Sequence, residues 1–159
     1  MRMLVLGAGL QGSACAYDLL QNPDVTEVRL ADLNVSHLPE FLHEYSGKRL
    51  IPTPLDVRDK DAVLAVMRES KATMSAIPYY FNLDLARLAV QAGTNFCDLG
   101  GNTEIVFQQK ELDGDARKAK VSIIPDCGLA PGMVNILAQY GISQLDEVDS
   151  VKIFVGGLP

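Results

Sequence analysis

Residues 3–12 read Met3-Leu4-Val5-Leu6-Gly7-Ala8-Gly9-Leu10-Gln11-Gly12, and their order decides the fold. Four apolar residues make a short strand, and the glycines follow it with G-x-G-x-x-G spacing at the start of a helix-period segment. Gly7 lets the chain turn sharply off the strand. Gly9 has no Cβ, so the backbone there can approach a pyrophosphate, and Gly12 lets helix and strand pack closely. The N–H groups of the first helical turn have no intrahelical partners, and with the helix dipole they form an anion site.

A glycine-rich turn could serve flexibility alone, so the flanking register carries the weight. Gln21-Asn22-Pro23-Asp24 breaks the helix, and a second apolar run, Val28-Arg29-Leu30-Ala31, ends on Asp32, twenty positions past Gly12. In dinucleotide-binding folds an acidic residue at that spacing accepts hydrogen bonds from the adenosine ribose hydroxyls. Gly7, Ala8, Gly9, Leu10, Gln11 and Gly12 are therefore expected to hold the pyrophosphate, with Asp32 and Leu33 at the ribose. A carboxylate at position 32 would repel the 2′-phosphate of NADP, and Leu33-Asn34-Val35-Ser36-His37 offers no Arg or Lys to pair with it. NAD is the cofactor expected on these grounds, in preference to NADP.

The 159 residues and 48% hydrophobic content suit one globular domain with a real core. A net charge of −6, with no Lys/Arg cluster, argues against a nucleic-acid partner. Cys15, Cys97 and Cys127 are widely spaced with no C-x-x-C pair, so neither a metal site nor a disulfide framework is expected. They read as reduced thiols of a cytoplasmic protein. The N-terminus enters a core strand without the features of a signal peptide, and no apolar stretch has membrane-spanning length.

Short apolar runs alternate with helix-period segments, the pattern of a doubly wound, mostly parallel α/β sheet with helices on both faces, in three layers. Strands are expected near 3–6, 27–31, 50–53, 72–76, 95–98 and 121–125, and helices near 10–20, 35–45, 59–69, 82–92, 103–119 and 131–141. Asp59 reads as an N-cap, Gly93 as a helix stop and Pro131 as a first-turn residue. Residues 1–147 would form the nucleotide-binding domain. From Val148 to Val155 the pattern alternates like a further strand, expected to lead into a second, substrate-binding domain.

Ligands of open parallel sheets bind outside the C-terminal ends of the strands. After the third strand, Asp56 could bond the adenine amine and Val57 pack on its ring, or Asp56 could only turn the chain. After the fourth, Ala76, Ile77 and Pro78 would pass close to the nicotinamide side. Tyr79 and Tyr80 follow, and being adjacent they cannot face the same way. After the fifth, Leu99, Gly100 and Gly101 offer open amides, and Asn102 or Thr103 can start a helix. After the sixth, Asp126 could hold a substrate ammonium or act as an acid/base group, or it could brace the loop. Cys127 beside it has no histidine placed as a base, because His37 and His43 both lie in the 35–45 region; it reads as a lining residue.

With these segments in order, the chain resembles the saccharopine dehydrogenase-like superfamily, most closely its lysine 6-dehydrogenase-like branch. The blocks that carry the resemblance are VLGAGLQG, LADLN, SAIPYYFN, DLGGN, IIPDCGLAPGMVNILAQYG and a VGGLP exit. The resemblance implies NAD(P)-dependent oxidation at an amine carbon of a small amino-acid substrate, followed by imine hydrolysis. It also implies a further substrate and dimerisation domain, hence a homodimer. Tyr79 and Asp126 become the candidates for substrate contact. Saccharopine reductases carry an Asp before the Pro-Gly of the last long block, where this chain has Ala130; that departure favours lysine as substrate over saccharopine. The alternatives are a saccharopine-type or polyamine-precursor enzyme and an NAD(P)-sensing protein without turnover.

Overall fold

A computed structural model describes residues 1–156. Six parallel strands form one sheet: β1 (Arg2–Leu6), β2 (Glu27–Asp32), β3 (Leu50–Pro54), β4 (Ala72–Ser75), β5 (Asn95–Asp98) and β6 (Ile123–Ile124). Their spatial order is β3-β2-β1-β4-β5-β6, so the chain winds outward from β1 in both directions. The helices α1 (Leu10–Gln21), α2 (Lys60–Arg68), α3 (Asn82–Ala92), α4 (Thr103–Lys110), α5 (Asp113–Ala119) and α6 (Met133–Ile142) complete the chain, with 3-10 helices at Glu40–Tyr45 and Tyr79–Phe81.

Strand side chains alternate between faces, which splits the interior into two cores. Leu4 and Leu6 pack with Val63, Met67, Leu85 and Phe96 on the side of α2 and α3. Val5 points the other way, into a core with Ala16, Leu20, Val28, Leu30 and Leu50 on the α1 side. Because Leu4, Val5 and Leu6 are fully buried, β1 reads as a continuous apolar run, as a strand covered on both faces must. Sheet and helices thus make the expected three-layer α/β/α architecture.

Local signals act as read at two boundaries. Asp59 caps α2 by accepting from Ala62 N at 3.0 Å, and Gly93 ends α3 in the left-handed region at φ 74°.

Elsewhere the elements depart from expectation for identifiable reasons. In place of a helix over 35–45 there is a turn and then the 3-10 helix from Glu40. Asn34 Oδ1 takes the N–H of Ser36 at 3.0 Å, offering the backbone a bond that competes with helix, and Pro39 precedes the first helical residue. The segment 103–119 breaks into α4 and α5 where Glu111 and Leu112 donate back to Gln108 and Gln109, tightening the turn and turning Leu112 into the core.

β6 is shorter than 121–125 because its donors are spent elsewhere. Val121 N donates to Ala116 O, Ser122 N to Asn95 Oδ1, and Pro125 has no N–H. Pro131 lies outside α6, which starts at Met133. Gly132, at φ 125°, donates to Asn135 Oδ1 at 2.9 Å instead. Residues 148–155 pair with no strand among the described residues. The Gly157-Leu158-Pro159 end of the VGGLP block lies outside the described residues.

Candidate functional site

The strand order reverses direction between β1 and β4, and the loops leaving these two strands diverge to open a crevice. Gly7 N donates to Ala31 O at 2.7 Å and Ala76 N to Leu6 O at 2.8 Å. A Cβ on Gly7, at φ 99°, would lie 2.7 Å from Ala76 O and 2.9 Å from Ile77 Cγ2, and one on Gly12 would lie 1.8 Å from Gly7 O. Only glycine fits these two positions. At Gly9 a Cβ would meet nothing within 4 Å: the space above the loop is open. No side chain caps the first turn of α1, so its N–H groups face that space uncommitted. This arrangement fits a pyrophosphate, with Ala8, Leu10 and Gln11 contributing backbone around the glycines.

Asp32 closes β2 as expected, but its carboxylate has local duties as well. Oδ2 accepts from Ala8 N at 2.7 Å and Oδ1 from Asn34 N at 3.1 Å. It braces the glycine loop from the neighbouring strand while keeping lone pairs for a ribose hydroxyl. A cleft of about 410 Å³ opens beside it, lined by Asp32, Leu33, Asp56, Val57, Arg58 and Tyr80 among others. Asp56 therefore stands where an adenine-binding role would put it, yet it also turns the chain. Its Oδ1 accepts from Arg58 N at 2.9 Å, and its two oxygens accept from Arg58 Nε at 2.9 and 3.0 Å. The bidentate Arg58 side chain, then its backbone N–H, hold the Asp56 carboxyl down at a pKa of about 2.

Arg58 is not apparent from the sequence as a neighbour of Asp32, because it follows the next strand rather than Asp32 itself. Parallel pairing sets Asp32 opposite Pro54, so the loop after β3 returns to the same cleft. Linear distance hid this, and the β2–β3 register could have revealed it.

The tyrosines divide as two adjacent side chains must. Tyr80 lines the Asp32 cleft, while the Tyr79 ring lies against Gly101, where a Cβ would come within 3.1 Å of it. Asp126 and Gly101 line a second cavity of about 360 Å³ with Leu99, Asn102, Leu129 and Pro131. Asn102 rather than Thr103 caps α4, accepting from Ile105 N at 3.1 Å. Asp126 sits in the left-handed region at φ 64°, its carboxylate against Gly100, where a Cβ would be 1.6 Å from Oδ1. Ile77 and Pro78 line the Asp32 cleft, and Ala76 and Ile77 flank Gly7. The structure thus brings Tyr79 and Asp126 to the same pair of glycines.

The residue behind that arrangement is Asp98, unremarked in the sequence because its side chain points inward. Burial pushes the Cys97 thiol up to about 11, with Cys127, Cys15 and Asp98 adding to the shift, and raises that of Cys127 as well. Both are protonated thiols at neutral pH, which agrees with giving Cys127 no nucleophilic role, although it lines neither of the two cavities.

Residues 3–124 match the family described as saccharopine dehydrogenase NADP binding domain. The chain belongs to this family. The L-glutamate-forming, NADP(+)-using saccharopine dehydrogenase of Saccharomyces cerevisiae is 27% identical over 99% of this chain and 34% of that protein. A second relative, the mitochondrial alpha-aminoadipic semialdehyde synthase of Mus musculus, is 26% identical over 99% of this chain and 17% of that protein. Among solved structures, apo L-glutamate-forming saccharopine dehydrogenase from S. cerevisiae superposes with TM-score 0.69 at 25% identity, covering 90% of this chain and 31% of that one. The chain therefore spans about a third or less of the length of these relatives.

Two expectations are corrected by these findings. A preference for NAD is not upheld: the family domain and the yeast relative are both described by NADP. The repulsion argued from Asp32 is weaker in the cleft than in the sequence, since its charge is shared with two N–H donors and the Arg58 guanidinium, paired with Asp56, stands on the same lining. A cytoplasmic location is not upheld either, since the mouse relative is named as mitochondrial. Reduced thiols separate reducing from oxidising compartments and do not distinguish among the reducing ones. Nothing in the comparisons singles out a lysine 6-dehydrogenase branch. Among the described residues no helix is long and apolar enough to cross a membrane.

Proposed function

We propose that the chain is the cofactor-binding part of an NADP(H)-dependent oxidoreductase acting at an amine carbon of a small amino acid, with a saccharopine-type secondary amine as its substrate class. The observation that carries this reading is the uncapped α1 N-terminus behind a loop where only glycine fits at Gly7 and Gly12, within a family described by NADP. When bound, the nicotinamide supplies the hydride acceptor. Gly7 to Gly12 bind the pyrophosphate, and Asp32 orients the ribose while bracing Ala8. Leu33 and Val57 offer apolar surface to the adenine, and Arg58 pairs with the 2′-phosphate. Ala76, with Leu99, Gly100 and Gly101, borders the nicotinamide, while Ile77 and Pro78, expected there, line the adenine side with Val57. Tyr79 and Asp126 face the substrate.

A second domain following residue 147 completes the substrate pocket and the dimer, in keeping with the greater length of the relatives. Ala130 supports a second reading. An alanine beside Pro131, at the rim of the Asp126 cavity, removes a carboxylate from the substrate side and favours a primary amine such as lysine.

The deciding experiment assays the protein encoded by the whole reading frame against saccharopine and lysine with NADP+ and NAD+. Faster turnover of saccharopine with NADP+ is expected. Turnover of lysine alone would replace the first substrate reading with the second, and absence of dinucleotide binding would overturn both.

A further inference from the structure

Asp98 ends β5 with none of its surface exposed. A carboxylate taken out of water is costly unless its lone pairs are filled, and here three donors fill them. Oδ1 accepts from Gly100 N at 2.7 Å and from Asp126 N at 3.1 Å, and Oδ2 accepts from Gln109 Nε2 at 2.7 Å. Its own carbonyl accepts from Cys127 N at 2.7 Å. The two backbone N–H groups on Oδ1 belong to different loops, one leaving β5 and one leaving β6. With only Ile123 and Ile124 paired to β5, the strand ladder stops short of the second loop, and Asp98 takes over the attachment.

The consequences run outward from this carboxylate. Gly100 and Asp126 both occupy the left-handed region, at φ 72° and 64°. The Asp126 carboxylate lies where a Gly100 Cβ would be, and Gly101 backs onto the Tyr79 ring. A Cβ on Gly128 would come within 2.3 Å of Leu99 O, so the two loops touch again further on. Gln109 holds the other carboxylate oxygen from α4 and is itself 2% exposed, with its Oε1 unpartnered among the described residues. An acceptor-only carboxylate forces that amide orientation.

We propose that Asp98 is the positioning residue for the substrate-side half of the cleft, setting the amides of Gly100 and Gly101 and the carboxylate of Asp126 without touching cofactor or substrate. The inference rests on the cofactor reading given above.

Asparagine and alanine at position 98 separate a positional role from a general one. In Asp98→Asn, Oδ1 still accepts from both loops, and Gln109 can turn its amide so that Oε1 accepts from the new Nδ2. In Asp98→Ala both loop N–H groups lose their acceptor. The chain and its variants are titrated by calorimetry with NADPH and with 2′,5′-ADP, which carries only the adenine half. Asp98→Ala is expected to bind NADPH about tenfold more weakly, the equivalent of one or two lost hydrogen bonds. Its 2′,5′-ADP affinity should stay within about threefold of the original, as that half of the cleft keeps its own bonds. For Asp98→Asn, NADPH binding should be restored to within about threefold, since both loop acceptors remain.

Should Asp98→Ala not fold, Gln109→Met removes the Oδ2 partner alone and is expected to weaken NADPH about threefold with 2′,5′-ADP unchanged. Equal losses for both ligands, or no rescue by asparagine, would overturn the positioning role. If the original chain binds 2′,5′-ADP and NADPH, the cofactor reading survives that result. If it binds neither, both readings fall.

Discussion

At the glycine-loop end of the cleft, Gly7 N donates to Ala31 O and Ala76 N to Leu6 O, continuing the ladders of β1 with β2 and β4. At the far end β6 contributes two paired residues, and the loop beyond it is held at Asp98, by one main-chain bond from Cys127 N and by the carboxylate. The first end is built from main-chain register, which many consecutive bonds enforce together. The second depends on one residue, Asp98, whose carbonyl and carboxylate together join loops far apart in the chain. Attachment through strand register makes the glycine loop inseparable from the fold, whereas attachment at a single residue makes the loop after β6 separable from it.

The strongest way to break this contrast is Gly12→Ala. Its Cβ would fall 1.8 Å from a backbone oxygen, so strand and helix must part. The expected cost is about 3 kcal/mol, seen as a fall of roughly 10 °C in Tm with loss of NADPH binding. A variant that melts normally would show that the loop is not locked to the sheet.

Gly100→Ala tests the other end. Its Cβ collides with the Asp126 side chain at a left-handed backbone position, and about 1–2 kcal/mol of stability should be lost. Thermal melting would measure that, while 2′,5′-ADP titration should show the adenine half unchanged. Equal loss of 2′,5′-ADP affinity would mean that the two ends are coupled.

Arg58→Gln sharpens the comparison within the first end, since this side chain, 73% exposed, contributes little to the fold. NADPH affinity is expected to drop about tenfold and NADH affinity to stay within about twofold, as one charged contact is lost. An unchanged ratio would remove Arg58 from the 2′-phosphate.

The smallest effect concerns Asp56. Its folded pKa of about 2 lies below the ordinary value of about 3.9. The Asp56–Arg58 pair is therefore fully formed above the ordinary value and is lost as the pH falls through about 2. Carboxyl NMR titration should place its midpoint there, and Arg58→Gln should return it towards 3.9.

The same contrast explains what could be read from the chain before its structure. Gly7 to Gly12, Asp32 and the alternation of apolar runs are local patterns with a fixed period, so the doubly wound sheet and the tight glycine turn after β1 were legible. The Asp59 cap and the Gly93 stop were legible too, each acting within a turn of its own position. Arg58 and Asp98 were not. Arg58 reaches the ribose cleft through strand pairing, and Asp98 looks like any loop-edge carboxylate until Gly100, Gln109 and Asp126 are seen around it. The shortening of β6 was hidden for a related reason, since nothing in Val121 or Ser122 tells that their donors are claimed by Ala116 and Asn95. The cofactor is not legible from the residues beside Asp32 for the same reason, since charges from distant parts of the chain share its cleft.

The two-residue strand β6 also bears on how such a domain can diverge. A loop fastened at one residue can change composition away from its contacts without shifting the register of the sheet, provided that its anchor stays. Substitutions around Asp126 and Ala130 therefore meet a low barrier, while those around Gly12 meet a high one. On the function proposed above, change at this edge of the sheet would alter the substrate side and leave the dinucleotide side in place.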